Sequence, residues 1–529
     1  MKSKIFSPEI PEQKSRIIRR LVMNYLAGGK PSRTQKSDCV DVKTAKICLR
    51  ELLEGKSTIS TGNSGLLTRM MISVCASMNK KIILKMDDQM GKRPVEALMQ
   101  NLKKMGAKIE RKGTKILFLP SQMHSTDLKV YHAASSQFLT SLLLIAPLLK
   151  GKTTIARIGK RSIPYSEMTI RMLEEHGIRI VKTNREIVIE GPQQYREFHD
   201  TKKEADMASA STFIALAILH RTKILIKNLQ RSTSQPERDF LDVIEKGGCK
   251  LTQQGKNLLI DAGNFEKIKK IDASNMPDSA LALAVLAWME GSNPILIGTE
   301  TWRNKETNRE KIINSLRRMK TPQEGRLETY GDHRIAMILS IIKSKFPAIK
   351  IHNSNSVQKS YIKFWGEYRR FILSLNKNFI LIGPPGAGKT TLGKMLAKKM
   401  GYRFKDTDDL IEKKFGTPLS KCIEESGWRA FRKIEEQIVA KLPRERSVIA
   451  TGGGTVLERE NQERLRKNAY TIALLPPYKV IKERLQKTHP QYRNIKSLYY
   501  KRRKTYESCC DMMIDDPAVF EEKFFHTQS

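Results

Sequence analysis

Phe379-Ile380-Leu381-Ile382 runs directly into Gly383-Pro384-Pro385-Gly386-Ala387-Gly388-Lys389-Thr390, and beyond it Leu392, Met395, Leu396 and Met400 recur at helical spacing. Four apolar residues closed by glycine read as a buried strand, and the recurrence reads as an amphipathic helix. The loop between them fits G-x-x-x-x-G-K-[ST] in the strand–loop–helix context that motif requires. Its glycines let backbone N–H groups approach phosphate oxygens, and the helix N-terminus adds a favourable dipole. Gly383, Gly386, Ala387, Gly388 and Thr391 are therefore expected around a nucleotide, with Lys389 reaching its β- and γ-phosphates and Thr390 ligating Mg²⁺.

Outward from this loop the chain supplies an acceptor site. Tyr402-Arg403-Phe404 reads as a second strand. Asp406 and Asp408, two residues apart at its end, are expected to face the same way, one steering metal-bound water and the other taking a hydroxyl proton. Phe431-Arg432-Lys433-Ile434-Glu435 reads as helix, and Gly452-Gly453-Gly454 follows the strand Val448-Ile449-Ala450. Singly, such charges usually belong to solvated surfaces. Together with the phosphate loop they resemble shikimate kinase, over roughly Phe379 to Asp516. The resemblance implies ATP as co-substrate and Mg²⁺ at Thr390 and Asp406. It implies Asp408 as base and as holder of the shikimate hydroxyls, Arg432 on the carboxylate and Gly453 behind the ring. Arg502, four residues before Tyr506, would be the second substrate arginine. The lid departs from the family pattern. It reads His489-Pro490-Gln491-Tyr492-Arg493, with His489 where an ATP-covering arginine is usual and Arg493 available to replace it. A nucleotide or gluconate acceptor is the alternative, which the cationic Arg432 disfavours.

The first 372 residues carry a repeat instead. Met105-Gly106-Ala107-Lys108-Ile109, His176-Gly177-Ile178-Arg179-Ile180 and Gly247-Gly248-Cys249-Lys250-Leu251 each follow a helical pattern and precede a second strand-like run, and their glycines are 71 residues apart. Glycine just past a helix fits the left-handed C′ position. The unit reads helix, glycine stop, strand, turn, strand. A fourth helix is present at Ile312 to Leu316, but its hairpin is missing from Met319-Lys320-Thr321-Pro322-Gln323-Glu324-Gly325.

Lys and Arg recur in this section beside Ser, Asn or Gly: Lys14-Ser15 with Arg19, Gly62-Asn63-Ser64-Gly65 with Arg69, Gly91-Lys92-Arg93, Trp302-Arg303 with Lys305-Glu306 and Arg309, Asp332-His333-Arg334, and Lys359-Ser360. Cations drawn from distant segments suit a closed site for ligands with several carboxylates and phosphates. Order and spacing resemble 5-enolpyruvylshikimate-3-phosphate synthase (3-phosphoshikimate 1-carboxyvinyltransferase), over essentially Lys2 to Tyr368. The resemblance implies two globules of three βαβαββ-like repeats, about 12–203 and 1–11 plus 204–372, hinged near Pro11 and Glu204-Ala205-Asp206. A linker at 373–378 and a kinase domain at 379–529 complete the expected organisation, of mixed α/β and α+β class.

By the same resemblance, Lys14, Ser15 and Arg19 would bind shikimate 3-phosphate, with Lys14 also touching phosphoenolpyruvate. Ser135, Ser136, Gln137, Ser162 and Tyr165 would hold the shikimate side. Gly65, Arg93, Arg309, Arg334 and Lys359 would surround phosphoenolpyruvate. Asp278 would be the general base, Lys305 a phosphate contact, and Glu306 a partner in proton transfer. No metal is implied there. Five positions depart from the family pattern: Glu12-Gln13 replace Gly-Ser, Leu66 replaces Thr, Asn308 replaces Asp, and Thr301 replaces Asn. A degenerate, non-catalytic scaffold joined to an active kinase is the competing reading. The domain order also occurs within the large multifunctional polypeptide of fungi.

Composition fits this picture. Of 529 residues, 96 are Lys or Arg and 55 Asp or Glu, giving a net charge of +41 that favours multiply anionic ligands. A helix-turn-helix, zinc-finger or RNP signature is missing, which disfavours nucleic acid. The apolar runs Phe138 to Leu149 and Ala280 to Met289 are shorter than the roughly 18 residues of a membrane span. The seven cysteines form no CxxC pair and read as buried thiols in a reducing compartment. With no apolar leader at the N-terminus, the expected location is the cytoplasm.

Overall fold

The computed structural model describes residues 5–131, 136–158, 163–183, 185–199, 203–303, 305–318, 326–346, 349–375, 378–443, 445–466, 469–488 and 495–516. The chain divides into two compact units: Met1–Pro322 with Leu327–Ile342 and Ile351–Trp365, and Gly366–Ser529 with Gln323–Arg326 and Lys343–Lys350.

In the first unit the repeat is a four-stranded sheet. Thr58–Ser60 lies parallel to Ile82–Lys85, which pairs antiparallel with Lys115–Leu119, itself antiparallel to Lys108–Lys112. Asp127–Tyr131, Gly151–Ile158, Glu186–Gly191 and Val181–Lys182 follow the same order and directions. Lys223–Ile226, Asn257–Asp261 and Lys250–Gln254 form the third copy, and Phe6 bridges parallel to Ile224 where the first strand belongs. The repeating glycines adopt φ of +93°, +84° and +96° at 106, 177 and 248. At Gly248 a Cβ would also collide with the Asn264 carbonyl, so the position excludes any other residue on two counts. The second copy differs from the sequence expectation. Its hairpin strand begins at Val181, because residues 178–180 pass from the helix without pairing.

The fourth copy retains its parallel pair, Lys270–Asp272 with Ile295–Ile297, and its helix Arg309–Arg318. Residues 319–325 lie outside the described ones. Among the described residues no hairpin follows Arg318, and the next strand, Arg326–Glu328, pairs with Lys350–His352.

One apolar cluster fills the interior from Ile18 to Tyr195. Every residue from Gly65 to Ala76 is buried, as is Phe138 to Ile145, so these helices are covered on all faces by other elements. No helix among the described residues is long and apolar enough to cross a membrane. The two chain crossings meet: Asp206 N–H donates to the Pro11 carbonyl at 2.8 Å, and Glu12 bridges antiparallel to Ala205.

The second unit is a five-stranded parallel sheet in the order Arg403–Asp406, Ser447–Ala450, Asn378–Ile382, Ala469–Leu474, Met512–Ile514. Asn378–Ile382 is central and buried at every position. That accounts for its unbroken apolar run.

Candidate active sites

Six helices of the first unit, Lys14–Leu26, Gly65–Ser77, Ser136–Ile145, Met207–Leu219, Ser279–Met289 and His333–Lys345, start at one cavity of about 150 Å³. A helix N-terminus carries a partial positive charge of roughly half a unit, so six of them converging bias the cavity toward anions before any side chain is counted. The residue before each of the last three helices is an aspartate: Asp206, Asp278 and Asp332. Asp206 caps its helix by accepting from Ser209 N–H at 3.0 Å, and Asp332 accepts from Arg334 N–H at 2.8 Å.

These aspartates hold the arginines. Arg309 donates to Asp278 at 2.7 Å and to both Asp332 oxygens at 2.7 and 3.1 Å. Arg334 donates to Asp278 at 3.0 Å and lies 3.6 Å from Asp206. Burial would push the Asp278 carboxyl up, but Arg334 and Arg309 outweigh it and hold it well below the usual range. Glu306 is likewise held low against the cost of burial, chiefly by Lys359 at 2.9 Å, Arg93 at 3.8 Å and Arg309 at 3.1 Å. Burial lowers Lys305. Two nitrogens of Arg93, Nε and one terminal amine, are buried without a hydrogen-bond partner, leaving donors for a ligand.

The opposite wall carries the remaining expected residues. Lys14 Nζ donates to Asp41 at 2.8 Å and lies 3.4 Å from His333 Nε2. Burial and Arg334 work against its charge, yet Asp41, with Cys39 nearby, raises its pKa. Arg19 is fully enclosed, bonded to Thr169 at 2.9 Å and to the Ser15 carbonyl at 3.0 Å, and burial lowers it to about 10. Gly65, Ser136, Gln137 and Tyr165 complete this wall. Ser135 and Ser162 lie outside the described residues.

Asp41, Asp332, His333 and Glu237 belong to the site without having been singled out for a role. A carboxylate pairing with a buried arginine looks, in sequence, like any surface acid. The signal available was positional: an aspartate immediately before an apolar helix, three times over. One of the family departures has a local replacement. Asn308 accepts from Lys311 N–H at 3.0 Å and so caps Arg309–Arg318 as an aspartate would. Leu66 and Thr301 line the cavity.

In the second unit, the loop Gly383–Gly388 joins the central strand to the helix Lys389–Met400. Lys389 Nζ donates to the Gly383 and Pro384 carbonyls, each at 2.9 Å, and burial lowers it to about 8. Arg484 reaches the Gly386 and Ala387 carbonyls at 3.4 Å, a neighbour the sequence did not reveal. Thr390 hydroxyl donates to Asp406 at 2.7 Å, while Thr391 is exposed.

Asp406 and Asp408 do not share a strand face, which corrects the sequence reading. The strand ends at Asp406, which caps the helix Thr407–Phe415 by accepting from Asp408 N–H at 3.1 Å. Asp408 stands in the first helical turn, and burial with the nearby Asp406 raises it to about 6. The glycine triplet closes around it. A Cβ at Gly452 would sit 2.6 Å from Asp408 Oδ1, one at Gly453 2.7 Å from Pro385, and one at Gly454 would collide with the Arg432 guanidinium. Arg432 pairs with Glu435 and stacks 5.5 Å from the Trp428 and Phe431 rings. Arg502 donates to the Gly453 carbonyl at 3.1 Å, and the Tyr506 hydroxyl donates to the same oxygen. Residues 489–493, the expected lid, lie outside the described ones.

A repeat fold closing cations and carboxylates around an anion-biased cavity, followed by a parallel sheet with a phosphate loop, has the architecture of an enolpyruvyl-transferase-type fold joined to a P-loop kinase-type domain. The family model of EPSP synthase (3-phosphoshikimate 1-carboxyvinyltransferase) matches residues 31–368, and that of shikimate kinase matches residues 385–526. The chain belongs to the EPSP synthase family, with a shikimate kinase domain after it. Pentafunctional AROM polypeptide 1 of Lodderomyces elongisporus is 26% identical over 540 residues, covering 87% of this chain and 34% of that one. The pentafunctional AROM polypeptide of Schizosaccharomyces pombe is 27% identical over 555 residues, covering 90% and 35%. The chain thus spans about a third of the length of these relatives. Among solved structures, an EPSP synthase of Acinetobacter baumannii shares the fold, with a TM-score of 0.52 and 18% identity over 70% of this chain and 96% of that one.

Proposed function

We propose that the chain performs two consecutive steps of aromatic (chorismate) biosynthesis in the cytoplasm: ATP-dependent 3-phosphorylation of shikimate, then enolpyruvyl transfer from phosphoenolpyruvate to shikimate 3-phosphate. The observation that carries the second step is Asp278, a partly buried carboxylate held between Arg309 and Arg334 where the helix N-termini converge. In that step the 5-hydroxyl loses its proton to Asp278 as its oxygen attacks C2 of phosphoenolpyruvate, and the methylene carbon gains a proton with Glu306 sharing the transfer. The methyl group then returns a proton to that same acid–base pair, re-forming the double bond as the C–O bond to phosphate breaks. Arg93, Arg309, Arg334, Lys359 and Lys14 stabilise the leaving charge. Lys305 holds a phosphate.

In the kinase domain, Lys389 and the loop amides bind the ATP phosphates, Arg432 and Arg502 grip the shikimate carboxylate, and Asp408 takes the 3-hydroxyl proton as ADP leaves. The hydroxyl of Thr390 beside the carboxylate of Asp406 is a hard-oxygen donor set that fits Mg²⁺. When bound, that ion neutralises phosphate charge. The transferase domain extends to about Ile372, and the kinase domain starts near Phe379. Lys389→Ala separates the two activities: ADP formation from shikimate is lost, while phosphate release with supplied shikimate 3-phosphate persists. Loss of both in a folded protein refutes the two-site reading.

A further inference from the structure

Glu237 belongs to none of the motifs legible in the sequence. It is 1% exposed and stands just before the helix Asp239–Lys246 with φ of +78°. A glutamate keeps that left-handed backbone only where its surroundings hold it there. Both carboxylate oxygens are engaged. Oε2 accepts from Ser279 N–H at 2.8 Å, and Oε1 accepts from Asp278 N–H at 3.3 Å and from the Tyr165 hydroxyl at 2.6 Å.

The two backbone donors are ones that the start of a helix leaves unpaired. Glu237 therefore fastens the first turn of Ser279–Met289 and, through it, the backbone of Asp278. The Tyr165 bond acts on the opposite wall of the cavity. A tyrosine hydroxyl has one proton, and this one is committed to Glu237. Tyr165 then offers the cavity only acceptor lone pairs, which suit a ligand hydroxyl and repel a phosphate or carboxylate oxygen. Burial and the nearby Asp278 push Glu237 up to about 7, and burial and Glu237 push Tyr165 well above its ordinary value, so the tyrosine keeps the proton it donates.

We propose that Glu237 is a positioning residue for enolpyruvyl transfer, one carboxylate setting both the proton acceptor Asp278 and the hydroxyl-accepting face of Tyr165. The inference rests on the transferase reading of Asp278 and Tyr165 above. Its test is phosphate release by the full chain from phosphoenolpyruvate and supplied shikimate 3-phosphate. Glu237→Gln puts an amide N–H against a donor, and a displaced Asp278 should lower kcat on the order of 10²-fold. KM for shikimate 3-phosphate should rise with it, while ADP formation stays at the parental rate. Glu237→Asp, which keeps the charge, should recover part of the loss. Tyr165→Phe should raise KM for shikimate 3-phosphate roughly 3–10-fold, the scale of one hydrogen bond, and should add little in the Glu237→Gln background. Parental kcat in Glu237→Gln, an unchanged KM in Tyr165→Phe, or fully additive losses in the double variant would each overturn the inference. A parent chain that releases no phosphate refutes instead the transferase reading on which it stands.

Discussion

Arg334 Nε donates to Asp278 Oδ2 at 3.0 Å, bringing together residues 56 positions apart, and Arg309 occupies the other oxygen of that carboxylate at 2.7 Å. Both arginines are also those expected to meet phosphoenolpyruvate. An anionic ligand that recruits them draws cations away from Asp278, and a carboxylate losing cationic neighbours becomes a stronger base. On the proposed reading, substrate binding and base activation are then one event.

Asp278→Ala should lower phosphate release by ~10²–10⁴-fold, the usual cost of removing a positioned acid–base group. Binding of shikimate 3-phosphate should survive, since Lys14, Ser15 and Arg19 are untouched, and ADP formation should be unchanged. Isothermal titration with shikimate 3-phosphate, beside a phosphate-release assay, checks both. A variant turning over at the parental rate shows that the base lies elsewhere.

The kinase should have a bell-shaped pH dependence of kcat/KM. Asp408, raised to about 6, must be ionised to accept a proton, so activity falls as pH drops below about 6. Lys389, lowered to about 8, must be charged to meet phosphate, so activity falls as pH rises above about 8. ADP formation measured from pH 5 to 9 at saturating Mg²⁺ tests the window. A plateau continuing well below pH 6 would contradict Asp408 as base.

Gly452→Ala places a methyl group 2.6 Å from Asp408 Oδ1, a contact relieved only by moving the carboxylate or the loop. ADP formation should drop on the order of 10²-fold for a displacement near 1 Å, with phosphate release from supplied shikimate 3-phosphate intact. Parental kinase activity in this variant removes Gly452 from the account of how Asp408 is held.

Much of this was legible in the chain, and the part that was not has identifiable causes. Three glycines 71 residues apart announced a repeating unit, because a left-handed residue after a helix admits little else. The phosphate loop declared itself through its spacing between a strand-like run and a helical one. Asp406 misled, since alternation along a strand assumes that the strand continues; the aspartate instead caps a helix and turns the chain at once. Glu237 and Asp41 stayed invisible because their partners lie far along the chain: Tyr165 is 72 residues from Glu237, and Lys14 is 27 from Asp41. Nothing in composition separates a buried partner of this kind from a solvated acid.

Asn308, where the family pattern has aspartate, should keep the helix Arg309–Arg318 in place by capping it. Asn308→Ala should cost about 1 kcal/mol of stability, and Asn308→Asp should restore it, both read from the midpoint of urea unfolding followed by loss of phosphate release. An alanine variant as stable as the parent shows that the cap contributes nothing and leaves the substitution unexplained.

The most direct test supplies the purified chain with shikimate, ATP, Mg²⁺ and phosphoenolpyruvate together and follows ADP and inorganic phosphate in one reaction. ADP should appear first and phosphate after it, with 5-enolpyruvylshikimate 3-phosphate accumulating; omission of ATP should stop both, and added shikimate 3-phosphate should restore phosphate release alone. ADP without phosphate release, even when shikimate 3-phosphate is supplied and shown to bind, would contradict a working transferase and leave an active kinase attached to an inert scaffold.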